Sequence, residues 1–241
     1  MIQKAIDILK SSKSVFVLTG AGISAESGVP TFRDADGLWK NYSATDLATP
    51  EAFARNPALV WEWYHWRQSI ILKAAPNPAH YALVELEKKF STFLLLTQNV
   101  DNLHRRAGSQ NVLELHGNIF RARCLSCGNV QEHTIDPDNE VNNLPTCSCS
   151  GLLRPDVVWF GEPIPQDVWQ QSLTFLNQTD VALISGTSGI VWPAAAIPEL
   201  AKKGGIKTIE VNLESTPISP IVDISLQGKA GEILPQIVQK L

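Results

Sequence analysis

The chain has 241 residues, 44% of them hydrophobic and 18% charged, with a formal net charge of −4. That balance suits one large globular domain, or a domain with a smaller insertion, and it offers no basic block for nucleic acid. No apolar run approaches the roughly 20 residues of a membrane span, and the start lacks the apolar core of a signal peptide. The expected setting is therefore the reducing cytoplasm, where four cysteines are better metal ligands than disulfides.

In chain order, Met1–Ile6 has the spacing of a short amphipathic helix. Val15–Leu18 is an apolar run, half of it β-branched, that leads into Gly20-Ala21-Gly22, with Ala25 three residues on. This is G-x-G-x-x-A after a strand, the pattern of a phosphate-binding turn. Gly28, Pro30 and Gly37 then break the chain where an ordinary dinucleotide domain would build a helix and a second strand. Residues 37–79 read as helical and tryptophan-rich, with a start signal at Thr49-Pro50-Glu51. Within them Val60, Trp63, Tyr64, Arg67, Ile70 and Ile71 share one helical face, and Arg67 interrupts its apolar stripe. An inward guanidinium needs an anion, and its fork suits a carboxylate. The alternative is that the tryptophans form core while Arg67 snorkels or stacks on an indole.

Phe93–Thr97 reads as a buried strand that delivers Gln98, Asn99 and Asp101 to its carboxyl end, where open α/β sheets bind ligands. Asp101 or Asn102 could equally cap a short helix. Val112–Leu115 repeats the geometry and sets His116 at a strand terminus before Gly117. An ordinary pKa of about 6.5 makes histidine the natural base near neutrality. His65, His80, His104 and His133 compete for the role, but none of them ends a strand.

Cys124-x-x-Cys127 is followed about 20 residues later by Cys147-x-Cys149. Two close pairs across such a loop suit tetrahedral zinc held by four thiolates, a structural site because no position stays open for water. Metal binding would also fold the polar segment 120–154, which has little core of its own. Val157–Phe160, Val181–Ser185 and Ile206–Val211 are further β-type runs, and Gly231–Leu241 reads as a last helix despite Pro235. Strands apolar on both faces and alternating with helices indicate a mainly parallel sheet covered on both sides. Residues 37–79 and 120–154 interrupt that rhythm.

The run Gly20-Ala21-Gly22-Ile23-Ser24-Ala25-Glu26-Ser27-Gly28-Val29-Pro30-Thr31-Phe32-Arg33 resembles the signature of the sirtuins, the NAD-dependent protein lysine deacylases. So do Thr97-Gln98-Asn99-Val100-Asp101, His116-Gly117, the two cysteine pairs, Arg154-Pro155-Asp156-Val157-Val158-Trp159-Phe160-Gly161-Glu162 and Gly186-Thr187-Ser188, all in family order. The resemblance implies an α/β fold. Residues 1–36, 80–119 and 155–241 would form a Rossmann-like NAD-binding domain; a helical module (37–79) and a zinc module (120–154) would form the small domain.

It also implies roles. Backbone amides of the glycine turn (Gly20, Ala21, Gly22, with Ala25 and Glu26) would hold the NAD pyrophosphate. The broken segment after it would be a mobile loop over the nicotinamide ribose, a site bordered by Ala21, Ala25, Phe32 and Arg33. Gln98, Asn99 and Asp101 would contact ribose and nicotinamide. Gly186, Thr187, Ser188, Asn212, Leu213 and Glu214 would hold the adenosine side, with Ala230 at the adenine. NAD would be consumed: the acyl-lysine oxygen attacks C1′ as nicotinamide leaves. His116, with Asn99 and Asp101 in the catalytic set, would then draw a proton from a ribose hydroxyl, leading to free lysine and O-acyl-ADP-ribose. The peptide would lie as an added strand between Val158, Trp159, Phe160, Gly161 and Glu162 on one side and Gly189–Trp192 on the other.

Tyr64-x-x-Arg67 and Ala48 resemble the sirtuin class that removes succinyl, malonyl and glutaryl groups, with Ala48 enlarging the acyl pocket. The expectation is thus a monomeric deacylase of acidic acyl-lysines that retains some deacetylation, with no membrane or nucleic-acid partner. Plain deacetylation and mono-ADP-ribosyl transfer are the alternatives. Two departures stand out: the tight Cys147-x-Cys149 spacing, and Trp192, where the family often carries a smaller aromatic or aliphatic residue.

Overall fold

The computed structural model describes residues 1–31, 42–135 and 144–241; Phe32, Arg33 and Gly37 lie outside the described residues. The chain opens with α1 (Ile2–Ser11), whose Ala5, Ile6 and Leu9 are buried, and β1 (Ser14–Thr19), buried along its whole length. The glycine turn enters the one-turn helix α2 (Gly22–Ala25). Then come α3 (Ala44–Leu47), α4 (Pro50–Arg55) and α5 (Pro57–Lys73). Thr49 and Asn56 start the last two by accepting the amides of Ala52 and Leu59, with proline at the first helical position of each. After α6 (Pro78–Lys89) follow β2 (Thr92–Thr97), α7 (Leu103–Ala107) and β3 (Val112–Glu114). The middle holds β4 (Gly117–Cys124), β5 (Val130–Glu132) and β6 (Leu153–Val157). The chain closes with α8 (Gln166–Leu176), β7 (Val181–Ser185), α9 (Ile197–Lys203), β8 (Lys207–Asn212), β9 (Ile224–Gln227) and α10 (Ala230–Val238).

Six strands form one parallel sheet in the order β3-β2-β1-β7-β8-β9. This is the doubly wound arrangement, with the direction of winding reversing between β1 and β7. Alternate residues of β1 face different layers. Val15 and Val17 join a core with Ile6 of α1, Leu83 of α6 and Leu234 of α10. Phe16 and Leu18 join another with Leu176 of α8 and Ile197 and Ala201 of α9. Each such side chain, fully removed from water, contributes roughly 1.5–3 kcal/mol. Burial on both faces is why these strands read as continuous apolar runs. β9 escapes that signal because Ile224-Ser225-Leu226-Gln227 buries only alternate residues at the sheet edge.

The second sheet is antiparallel, in the order β5-β4-β6. It shares a separate core with the helical segment: Phe53, Trp61, Trp63 and Tyr64 lie with Ile119, Phe120, Leu153, Trp159 and two cysteines. The Trp61 indole donates to the Leu153 carbonyl at 3.1 Å, and the Gln68 amide donates to the carbonyls of Ile119 (2.6 Å) and His133 (2.9 Å). α5 therefore buries Trp61 and Gln68 besides the expected stripe, since it meets α4 on one side and β4 and β6 on another. Arg67 and Ile70 of that stripe are only half-buried.

One predicted strand is corrected. Val157–Phe160 does not continue as a strand, because β6 ends at Val157. Beyond it the amides turn to single partners: Val158 to the His116 carbonyl (2.9 Å), Trp159 to the Glu162 carboxylate (2.8 Å) and Phe160 to the Ala48 carbonyl (2.9 Å). Among the described residues no helix is long and apolar enough to cross a membrane.

Candidate active site

The carboxyl ends of β1, β2, β3, β7 and β8 bring the predicted residues to one edge of the large sheet. Two turns face each other at the point where the winding reverses, Gly20–Gly22 after β1 and Gly186–Ser188 after β7. The Gly22 amide donates to the Gly186 carbonyl at 2.8 Å. A Cβ on Gly20 would lie 2.9 Å from that carbonyl oxygen, and one on Gly186, which has φ +62°, would lie 2.3 Å from the Ile23 nitrogen. Only glycine permits both the approach and the conformation.

Side-chain amides lock the edge together. Gln98 donates to the Thr187 hydroxyl at 2.9 Å, Asn212 to the Thr187 carbonyl at 2.7 Å, and Asn99 to the Gly20 carbonyl and the Ser24 hydroxyl, both at 3.1 Å. Gly22 and Ala25 remain exposed, as do Leu213 and Glu214, while Ala21 and Ser188 are half-buried. Ala230 is buried at the start of α10. Glu26 uses its carboxylate within the protein, accepting the Gly231 amide at 2.9 Å and so tying the glycine turn to α10. Close-set glycines at the switch point leave the room that a dinucleotide's pyrophosphate needs to approach the turn backbone.

His116 sits in the turn between β3 and β4. Its Nδ1 is 2.9 Å from the Gln98 carbonyl oxygen. A carbonyl only accepts, so Nδ1 carries the proton and the neutral ring presents a basic Nε2. Burial lowers the His116 pKa, with the Gln98 carbonyl opposing it. The turn is held from both sides. Gly117, at φ +80°, passes so close to Asp156 that a Cβ would lie 2.1 Å from the Asp156 carbonyl oxygen. Arg121 bridges Glu114 (2.9 Å) and Asp156 (3.0 Å).

Behind this edge lies a polar layer that the sequence did not reveal. The Thr19 hydroxyl is 2.9 Å from both the Thr97 hydroxyl and His104 Nε2, and Ser24 Oγ is 3.5 Å from His80 Nε2. Burial takes the His80 pKa down to about 4 and His104 well below the usual range. Both are neutral near pH 7. Their only sequence signal was histidine on the buried face of a helix. Asn102 is the N-cap of α7, and Asp101 just before it accepts the Leu103 amide at 2.9 Å. Burial raises its pKa, opposed by that amide, Ser24, Arg67 and Arg106.

A second group converges beside this edge, where α5 meets the segment after β6. Phe160 reaches Ala48 through the backbone bond given above, and the Trp159 indole Nε1 is 2.8 Å from the Tyr64 oxygen. Burial pushes the Tyr64 pKa up to about 12, so the phenol keeps its proton. Burial lowers that of Arg67, with Tyr64 and the Asp101 carboxylate opposing. The Arg67 guanidinium carbon is 5.2 Å from the Trp63 ring centroid, so the indole contact weighed from the sequence is present. Arg154 is an addition: its guanidinium carbon lies 3.4 Å from the Trp159 ring centroid, and it forms a two-pronged pair with Glu162. Phe160, Ile190, Val191 and Trp192 are exposed, Trp192 at 71%.

The four cysteine sulfurs lie within 4.8 Å of one another. Three of the pairs are Cys124–Cys149 and Cys127–Cys149 at 3.5 Å, and Cys127–Cys147 at 3.8 Å. A tetrahedron with zinc–sulfur bonds of about 2.3 Å has edges of about 3.8 Å, so these residues fit the ion. The tight second pair works because Ser150 adopts φ +66° and donates its amide to the Cys147 carbonyl, folding both sulfurs inward.

A doubly wound sheet with a glycine cradle at its switch point, joined to a four-thiolate ribbon, defines a dinucleotide-binding α/β protein with a structural zinc site. The Sir2 family model matches residues 20–193. A curated relative from Pyrobaculum aerophilum, NAD-dependent protein deacylase 2, is 55% identical over 98% of this chain and 94% of its own length. A crystal structure of a Sir2 homologue in complex with NAD is 47% identical, with a TM-score of 0.92 over 98% of this chain and 92% of that one. A Sir2 structure with a p53 peptide and NAD⁺ is 31% identical, with a TM-score of 0.89 over 100% of this chain and 98% of that one. The chain belongs to the Sir2 family, the sirtuins.

Proposed function

We propose that this enzyme, an NAD-dependent protein deacylase like its relatives, prefers lysines carrying acidic acyl groups such as succinyl and malonyl. The observation that supports the preference is one connected group: the Phe160 amide bonds to Ala48, the Trp159 indole to the protonated Tyr64 phenol, and the half-buried Arg67 follows Tyr64 by one helical turn. A free carboxylate at the acyl end meets a hydrogen-bond donor and a fork-shaped cation there. An acetyl group uses neither.

NAD would rest on Gly20–Gly22, Gln98, Asn99, Asp101, Gly186–Ser188, Asn212–Glu214 and Ala230, and it supplies the ribosyl carbon that takes the acyl oxygen as nicotinamide leaves. His116 Nε2, kept basic by the Nδ1–Gln98 bond, takes the proton of a ribose hydroxyl. Asn99 and Asp101 hold the reacting end in place. The exposed Phe160 and Gly161 and the exposed, apolar Ile190–Trp192 receive an extended peptide. The zinc cysteines are structural, and thiolates suit the reducing cytoplasm. Plain deacetylation is the second reading, favoured by the contact of Arg67 with Trp63 and its attraction to Asp101.

Rates on acetyl-, succinyl- and malonyl-lysine peptides separate the two. The proposal expects a higher kcat/KM for succinyl than for acetyl. Arg67→Met should lower desuccinylation by about tenfold or more beyond its effect on deacetylation, as expected for a desolvated charge pair. Equal losses would make Arg67 purely structural.

A further inference from the structure

We propose that Trp159 is a positioning residue for acyl selection, fixing the Tyr64 hydroxyl as a donor toward the acyl carboxylate. The inference rests on the acidic-acyl reading above and adds the group that orients its phenol.

The logic is one of hydrogen counting. An indole N–H can only donate, and a phenol has a single hydrogen. With Trp159 Nε1 2.8 Å from the Tyr64 oxygen, that oxygen must accept, and its own hydrogen must point elsewhere. Both residues are almost completely buried, at 3% and 2% exposure, so water does not compete for the bond. Burial also keeps the phenol protonated, with its pKa at about 12. Arg67 follows one helical turn later and interacts electrostatically with the same hydroxyl. A free carboxylate of a dicarboxylic monoacyl-lysine satisfies both groups at once.

The indole is itself immobilised. Arg154 stacks on it at 3.4 Å and is anchored by Glu162 and by the Val157 carbonyl at 2.8 Å. Glu162 accepts the Trp159 backbone amide at 2.8 Å, and the Phe53 ring packs at 5.3 Å. The flanking amides bind the His116 and Ala48 carbonyls. One short segment therefore joins the turn that carries His116 to the acyl-selecting phenol, so recognition of the acyl end is registered against the base.

The test measures kcat and KM for succinyl- and acetyl-lysine peptides in the wild type, Trp159→Phe, Tyr64→Phe and the double variant. Phenylalanine keeps an aromatic ring and removes the N–H. Trp159→Phe should reduce the succinyl-to-acetyl ratio of kcat/KM by about five- to tenfold, mostly through the KM for succinyl peptide, the range expected for one weakened hydrogen bond. In the Tyr64→Phe background the same change should move the ratio by less than about twofold. An equal fall on both peptides, or the same fall in the ratio with and without the Tyr64 hydroxyl, overturns the proposal. If Trp159→Phe does not fold, 3-benzothienylalanine at position 159 keeps the bicyclic ring without the N–H and carries the same expectation. A wild type with no preference for succinyl removes the acidic-acyl reading and this inference with it. A wild-type preference that survives loss of the indole N–H removes this inference alone.

Discussion

β1 and α5 are both buried on more than one side, yet what they bury differs. β1 puts apolar side chains into two cores and leaves its chemistry to backbone and small residues at its carboxyl end, Gly20 to Gly22. α5 buries Trp61, Trp63, Tyr64 and Gln68, nearly every one with a polar atom that needs a named partner across the domain. The large sheet builds a cofactor edge from elements that any doubly wound domain has. The second core builds selectivity from side-chain bonds that fit only one arrangement. The first should tolerate loss of the second, and the second should not survive loss of its metal.

Metal removal is the strongest way to break that contrast. Cys124 and Cys147 are part of the second core, and a Cβ on Gly151 would lie 2.7 Å from the Cys124 sulfur, so the ribbon packs tightly around its ligands. Zinc binding is worth on the order of 10 kcal/mol to comparable ribbons. A strong chelator, or Cys124→Ala, should abolish deacylation and expose the amides of β4, β5 and α5 to hydrogen exchange. The amides of β1, β2 and β7 should stay protected. Uniform loss of protection in both sheets would mean that the cores fold as one unit.

His116 sharpens the comparison from the other side, since it sits on the turn where the sheets meet. His116→Ala should reduce turnover by about 10²–10⁴-fold, the usual contribution of a general base. NAD affinity, measured by calorimetry, should change little. Because burial lowers the His116 pKa, the acid limb of kcat/KM should fall below the ordinary histidine value of about 6.5. A limb above that value, or substantial residual turnover in the variant, would assign the base elsewhere.

What could be read from residues alone follows the same division. The parallel strands were legible because burial on both faces forces apolar runs, and Val181–Ser185 was found with its ends in place. The four thiols and the position of His116 were legible from spacing. The Trp159–Tyr64 bond joins residues 95 apart in the chain, and no local pattern encodes such a pairing. The extension of β6 through Phe160 was misread for the same reason: an apolar run looks like a strand whether its amides meet a neighbouring strand or three unrelated acceptors. Val15–Leu18 and Gly20–Gly22 announce a cofactor edge, whereas nothing near His80 or His104 announces the polar layer beneath it.

That layer gives the smallest effect and the most specific one. The His80 Nδ1 accepts the Asn77 amide at 3.3 Å, closing a capping box at the start of α6, and Nε2 faces Ser24 under the glycine turn. The ring is completely buried, and its folded pKa is about 4 against the ordinary 6.5. The folded state therefore binds the proton less readily than the unfolded chain. The stabilisation is fully present above about pH 6.5 and is lost as pH falls toward 4, amounting to about 3 kcal/mol over that window. His65, His104 and His133 are shifted the same way, so the wild-type slope sums several groups. His80→Gln isolates one of them, because glutamine at the third helical position can still accept the capping amide but cannot titrate. Denaturant unfolding of the two proteins at pH 7.5 and pH 5 should show the variant losing less stability between those values. Parallel losses would mean that the acid sensitivity lies in groups other than His80.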